Sequence, residues 1–99
     1  MKSFHNQDMD YLFQGSLTLE TVEECYAFFE DVCTIKELQA MAQRFRVAEQ
    51  LYTKKNYNEI QSETGASSAT ISRVNKCLVY GTGGYLTALQ RLDEEQQDG

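Results

Sequence analysis

Apolar positions along this chain recur at intervals of three and four residues, the spacing of one face of an α-helix. Val22, Cys25, Phe29 and Val32 follow it, with Tyr26 and Phe28 widening the stripe, which predicts a helix over about Leu19 to Val32. Thr18 is its expected N-cap, and Glu20, Glu23 and Glu24 suit the positive end of the helix dipole. Before it, Leu12 and Phe13 in DYLFQGS mark a short amphipathic helix. After it, Thr34-Ile-Lys-Glu37 is a capping box, in which hydroxyl and carboxylate reciprocally satisfy orphan amides. That box opens the longest predicted helix, about Ile35 to Thr53. Its apolar surface is too broad for a surface helix. Ile35, Leu38, Met41, Ala42, Phe45, Ala48 and Tyr52 form one stripe, and Ala40, Val47 and Leu51 form a second zone. A helix apolar nearly all round is buried on most sides. A chain of 99 residues has little material to cover it, so an interleaved homodimer is the expectation ahead of a compact monomer.

The next segment changes character. Asn56-Tyr-Asn-Glu59 repeats the capping-box pattern with Asn as cap and starts a short helix ending near Thr64. Gly65 stands where a left-handed C-cap residue is needed, Ser67 caps the following helix, and Gly81 stops it after about Tyr80. Two short helices joined by a tight glycine turn form a helix-turn-helix unit, here at about 56–78. Ile60, Ala66, Ile71 and Val74 are placed to lock its two helices together.

On the second of these helices, Ile71, Val74, Cys77 and Leu78 fall within one arc that faces a core. Ser68, Ala69, Ser72, Arg73 and Lys76 lie on the opposite arc. Short side chains there let a helix sink into the major groove of DNA, roughly 12 Å wide, and bring its first turn to base edges. The candidate DNA-binding residues are Ser67, Ser68, Ala69, Thr70, Ser72, Arg73 and Lys76. Lys54 and Lys55, just before the unit, are placed to grip the phosphate backbone. The competing reading is an ordinary helical hairpin whose serines are caps and solvated surface.

Charge refines this picture. The net charge of −6 argues superficially against nucleic acid, but its distribution is uneven. Between Ile35 and Cys77 seven basic residues face four acidic ones, a local +3, so the remainder carries −9. A basic middle between acidic ends suits a DNA partner, with the ends serving solubility. The three cysteines, Cys25, Cys33 and Cys77, sit within apolar helical patterns and are expected to be buried free thiols. No cysteine–histidine cluster suggests a metal site, and the single histidine, His5, lies in the expected N-terminal tail. No apolar run approaches the roughly 20 residues of a membrane span, and the N-terminus lacks a basic-then-apolar signal pattern. One domain is expected over 8–95, with tails at 1–7 and 96–99, in a cytoplasmic, nucleoid-associated protein.

The run GASSATISRV, with the preceding TIKELQAMAQRFRVAEQLY and with ECYAFFEDVCT at 24–34, resembles the tryptophan repressor superfamily, especially its YerC/YecD branch. The resemblance covers about residues 10–93 and is strongest over 33–78. It implies an all-α, intertwined helical homodimer with a helix-turn-helix reading head on each subunit. It also places Ser68, Ala69, Thr70, Ser72 and Arg73 where the family's recognition helix meets operator DNA. In that family a tryptophan corepressor is held by a threonine and two arginines, positions that match Thr34, Arg44 and Arg73. Val74 replaces a glycine beside the indole slot, Ala48 replaces a valine, and the connection before Asn56 is one residue shorter. A valine there fills the space an indole needs, because close-packed interiors do not accept extra methyls cheaply. No cofactor is therefore expected, with another small-molecule corepressor as the alternative.

The expected function is a sequence-specific, DNA-binding transcriptional regulator, a repressor acting as a homodimer on a palindromic duplex. The alternative is a helix-turn-helix used as a protein-interaction module in the transcription apparatus. An enzyme is not expected. One tail histidine, no glycine-rich phosphate loop and no framed carboxylate pair leave nothing to perform chemistry.

Overall fold

The structure, a computed structural model, describes residues 4–98. Within them the chain forms six α-helices: α1 (Gln7–Ser16), α2 (Val22–Val32), α3 (Ile35–Tyr52), α4 (Tyr57–Thr64), α5 (Ser68–Tyr80) and α6 (Gly84–Asp98). Two compact units divide the chain, Met1–Leu38 and Gln39–Gly99.

In the N-terminal unit, Asn6 caps α1 by accepting from the amide of Met9 at 2.9 Å, so the helix starts inside the segment expected as tail. The cap of α2 is Thr21, not Thr18. The Thr21 hydroxyl accepts from the Glu24 amide at 3.0 Å, and the Glu24 carboxylate accepts from the Glu20 amide at 2.8 Å. Thr18 instead donates to the carbonyl of Gly15 at 2.7 Å, closing the end of α1. Thr34 and Glu37 form the expected box at the start of α3, with contacts of 2.7 and 3.1 Å. The amide of Thr34, then its hydroxyl, holds the Glu37 carboxyl below its ordinary range. No residue of α1 or α2 is buried.

The core lies in the C-terminal unit. Val47 and Ala48 of α3, Ile60 of α4, Ala66 of the turn, Ile71 and Val74 of α5, and Leu89 of α6 form one buried cluster. Burying a Val or Ile side chain contributes about 1.5–3 kcal/mol, so Ile60, Ile71 and Val74 supply most of the glue between α4 and α5. Phe45 and Tyr85 stack at 6.3 Å on the margin of this cluster, tying α6 to α3. The last helix, α6, runs through to Asp98 and into the expected C-terminal tail.

Cys25 and Cys77 are exposed and Cys33 is half-buried, which corrects the expectation of buried thiols. Cys77 stands at the edge of the apolar arc of α5, where the core no longer reaches it, and α2, which carries Cys25, has no fully buried residue. Exposure extends along the same surfaces: Val22, Tyr26, Val32, Ile35 and Met41 are all exposed, Ile35 at 68%.

Candidate nucleic-acid interface

The α4–α5 pair is built by caps at each end and a left-handed turn between. Asn56 and Glu59 complete both arms of the capping box, at 2.9 and 3.0 Å. Gly65 adopts φ 75°, and its amide donates to the carbonyl of Gln61 at 2.9 Å. A side chain would be strained in that conformation, which is why the turn takes glycine. The Thr64 hydroxyl then donates to the Ile60 carbonyl at 2.7 Å and accepts from the Ala66 amide at 3.1 Å. The amides of Gly65 and Ala66 are thereby satisfied without a longer loop.

Ser67 caps α5. Its hydroxyl accepts from the Thr70 amide and donates to the Thr70 hydroxyl, both at 3.1 Å. These two hydroxyls therefore already serve the helix start. Ser68, Ala69, Ser72, Arg73 and Lys76 all face outward, opposite the buried Ile71 and Val74. Among the described residues neither Arg73 nor Lys76 is held in an ion pair, so both cations are available to an external anion. The same exposed face ends in Tyr80, 83% exposed at the last turn.

The two lysines before α4 differ. Lys54 is exposed and sits at φ 70°, a left-handed position unusual for a residue other than glycine. It occupies the position after the C-cap of α3. The Lys54 amide donates to the Leu51 carbonyl and the Lys55 amide to the Gln50 carbonyl, both at 3.0 Å, which is a Schellman motif. The Lys55 ammonium instead meets Glu63 at 2.8 Å. That hydrogen bond raises the pKa of Lys55 and lowers that of Glu63. Glu63 also accepts from Gln50 Nε2 at 2.8 Å. This arrangement joins residues far apart in sequence, and no local pattern announces it.

The three residues expected from the resemblance to hold a corepressor, Thr34, Arg44 and Arg73, lie on different elements. Thr34 belongs to the N-terminal unit and is engaged with Glu37. Arg44 is half-buried on α3 and Arg73 is exposed on α5. Val74, at 1% exposure, and Ala48, at 0%, both lie within the core. A cleft of about 440 Å³ between α3 and α6 is lined by Phe45, Arg46, Tyr52 and Leu92 among others, and by none of the three. A second, of about 520 Å³, lies against Phe45, Cys77 and Tyr85 and also contacts none of them. Among the described residues no group of three or more His, Cys, Asp or Glu could hold a metal ion, and no helix is long and apolar enough to cross a membrane.

The all-helical fold recurs in known proteins over nearly the whole chain. The uncharacterized protein YerC of Bacillus subtilis (strain 168) is 49% identical over 92 residues, spanning 93% of this chain and 88% of YerC. A TrpR like protein from Eubacterium eligens ATCC 27750 superposes with a TM-score of 0.90 at 46% identity, covering 94% of this chain and 96% of that one. A crystal structure from Staphylococcus aureus gives a TM-score of 0.89 at 42% identity, covering 93% and 92% of the two chains. Residues 7–93 match the Trp repressor protein family, and the chain belongs to that family.

Proposed function

We propose that this chain is a sequence-specific DNA-binding transcriptional regulator, a repressor that acts as a homodimer and performs no catalysis. The observation that carries the reading is the outward face of α5, with small residues at its first turns, two cations behind them that pair with no described residue, and a core-locked opposite side. That face has the width and chemistry to enter a major groove, with α4–Gly65–α5 acting as a helix-turn-helix reading head. Ser68, Ala69 and Ser72 meet base edges, Ser67 and Thr70 shape the entering turn, and Arg73 and Lys76 reach phosphate or guanine. Lys54 approaches the backbone from the end of α3. Family membership supports the same reading.

The homodimer is supported by the uncovered apolar side chains of α2 and of the first half of α3, which a second copy would bury. Two heads related by a two-fold axis would read half-sites about 34 Å apart. Val74 and Ala48 close the core beside α5, so the reading requires no tryptophan. Duplexes selected from a random pool should contain a palindrome, and binding to it should weaken steeply with added salt as counterions are released. Arg73→Ala and Lys76→Ala should each weaken that binding. Affinity that is flat with salt and indifferent to both substitutions would refute the proposal.

A further inference from the structure

Glu63 is the meeting point of three elements. Its Oε1 accepts at 2.8 Å from Lys55, in the α3–α4 connection, and at 2.8 Å from Gln50, on α3, while Glu63 itself stands in the last turn of α4. Gln50 is only 6% exposed, and its own Oε1 has no partner among the described residues. Turning the amide over would set a carbonyl oxygen against the carboxylate, so Glu63 fixes which way Gln50 points. An orphaned buried acceptor costs stability, so the amide is present for the bond it donates. Seven residues earlier on the same face of α3, Gln43 Nε2 donates to the carbonyl of Thr64 at 3.2 Å. Two glutamines, two helical turns apart, thus hold the last two residues of α4, immediately before the turn into α5.

We propose that Gln50, Lys55 and Glu63 form a clasp that sets the orientation of α4–α5 on α3, making Glu63 a positioning residue for DNA recognition and Lys55 a strut rather than a phosphate grip. The inference rests on the DNA-binding reading above. A cation already neutralised by a carboxylate at 2.8 Å releases no counterion on meeting DNA, whereas a head held at a fixed angle to α3 keeps its base contacts in register. Apolar packing of Ile60 against α3 permits small rotations, because it is not directional. The charge-assisted bonds to Glu63 are directional and remove that freedom.

A charge swap tests this on the full-length chain. The measured quantity is the ratio of affinity for the selected duplex to affinity for a scrambled one, in which bulk electrostatics cancels. Lys55→Glu and Glu63→Lys should each lower the ratio by up to about fivefold, the scale of a partly exposed ion pair. The double variant Lys55→Glu/Glu63→Lys restores an opposite-charge pair, and Gln50 can turn its free oxygen toward the new lysine. Its ratio should recover to within about 1.5-fold of the parent protein. Lys55→Gln should leave the salt dependence unchanged, whereas loss of a phosphate contact would reduce the slope by about 0.9. A swap no better than the worse single variant, or a shallower slope in Lys55→Gln, overturns the clasp while leaving DNA binding intact. A parent protein that shows no salt-dependent binding, with Arg73→Ala indistinguishable from it, overturns the DNA reading and the clasp's role in recognition together.

Discussion

Replacing Lys54 separates backbone conformation from charge at one position. Its φ of 70° costs a residue with a side chain about 1–2 kcal/mol, which glycine does not incur. Glycine is also freer in the unfolded chain, which offsets about 0.4–1 kcal/mol of that relief. Lys54→Gly should therefore be more stable than Lys54→Ala by roughly 0.5–1 kcal/mol, since both variants lose the same ammonium. For a domain of this size the difference corresponds to about 2–8 °C in Tm. Thermal unfolding of the two variants at one fixed protomer concentration reads it directly. DNA affinity should behave differently. Both variants lose one phosphate contact, so both should bind more weakly and show a salt slope shallower by about 0.9. Equal stability of the two variants would mean that the left-handed cap is not held in the native state. An unchanged salt slope in both would mean that Lys54 does not meet phosphate.

Ser67→Ala should cost about 1 kcal/mol by removing the hydroxyl that accepts from the Thr70 amide, measured by urea unfolding, with Ser67→Gly costing only a few tenths. Gly81→Ala should destabilise by about 1–3 kcal/mol, visible as a lowered Tm, because a Cβ there would collide with the Cys77 carbonyl oxygen. That obstacle is backbone and cannot swing aside, and an unaltered Tm would show that α5 does not end as described. Acid should weaken the fold through Glu63, held low by its bond from Lys55, and through Glu37, held low by the Thr34 amide. A depressed folded pKa gives stability that is complete above the unfolded value near 4.5 and is lost as pH falls through the lower folded value. Urea midpoints from pH 7 to pH 3 should therefore decline on the acid side, and Glu37→Gln with Glu63→Gln should flatten that decline.

Most of the α4–α5 unit was legible in the sequence because each of its boundaries is a local chemical event. An Asn-x-x-Glu box, a lone glycine and a serine each act within three or four residues, and the structure uses all three as expected. The start of α2 at Thr21 follows the same local rule. Thr21-Val-Glu-Glu24 matches the Thr-x-x-Glu pattern, whereas Thr18 has no acid three residues on. The helix α6 was missed because Gly81-Thr82-Gly83-Gly84 offers no polar cap of that kind, although Tyr85, Leu86, Leu89 and Leu92 keep helical spacing. The clasp was not legible at all. Gln50 and Glu63 are thirteen residues apart, and they meet only because Lys54 turns the chain through a left-handed conformation that its sequence does not advertise.

The uneven distribution of burial has a consequence for how long such a protein lasts. Every core residue among those described lies between Val47 and Leu89, and α1 and α2 contribute none. Local opening free energy tracks buried apolar contact, so the first two helices of a lone chain would open readily and expose cleavable backbone. In the proposed homodimer, cover supplied by a second copy would make their folding a matter of mass action, stronger as protomers accumulate. Chains that fail to pair would then be the first that proteases remove, and the supply of intact regulator would rise more steeply than its rate of synthesis.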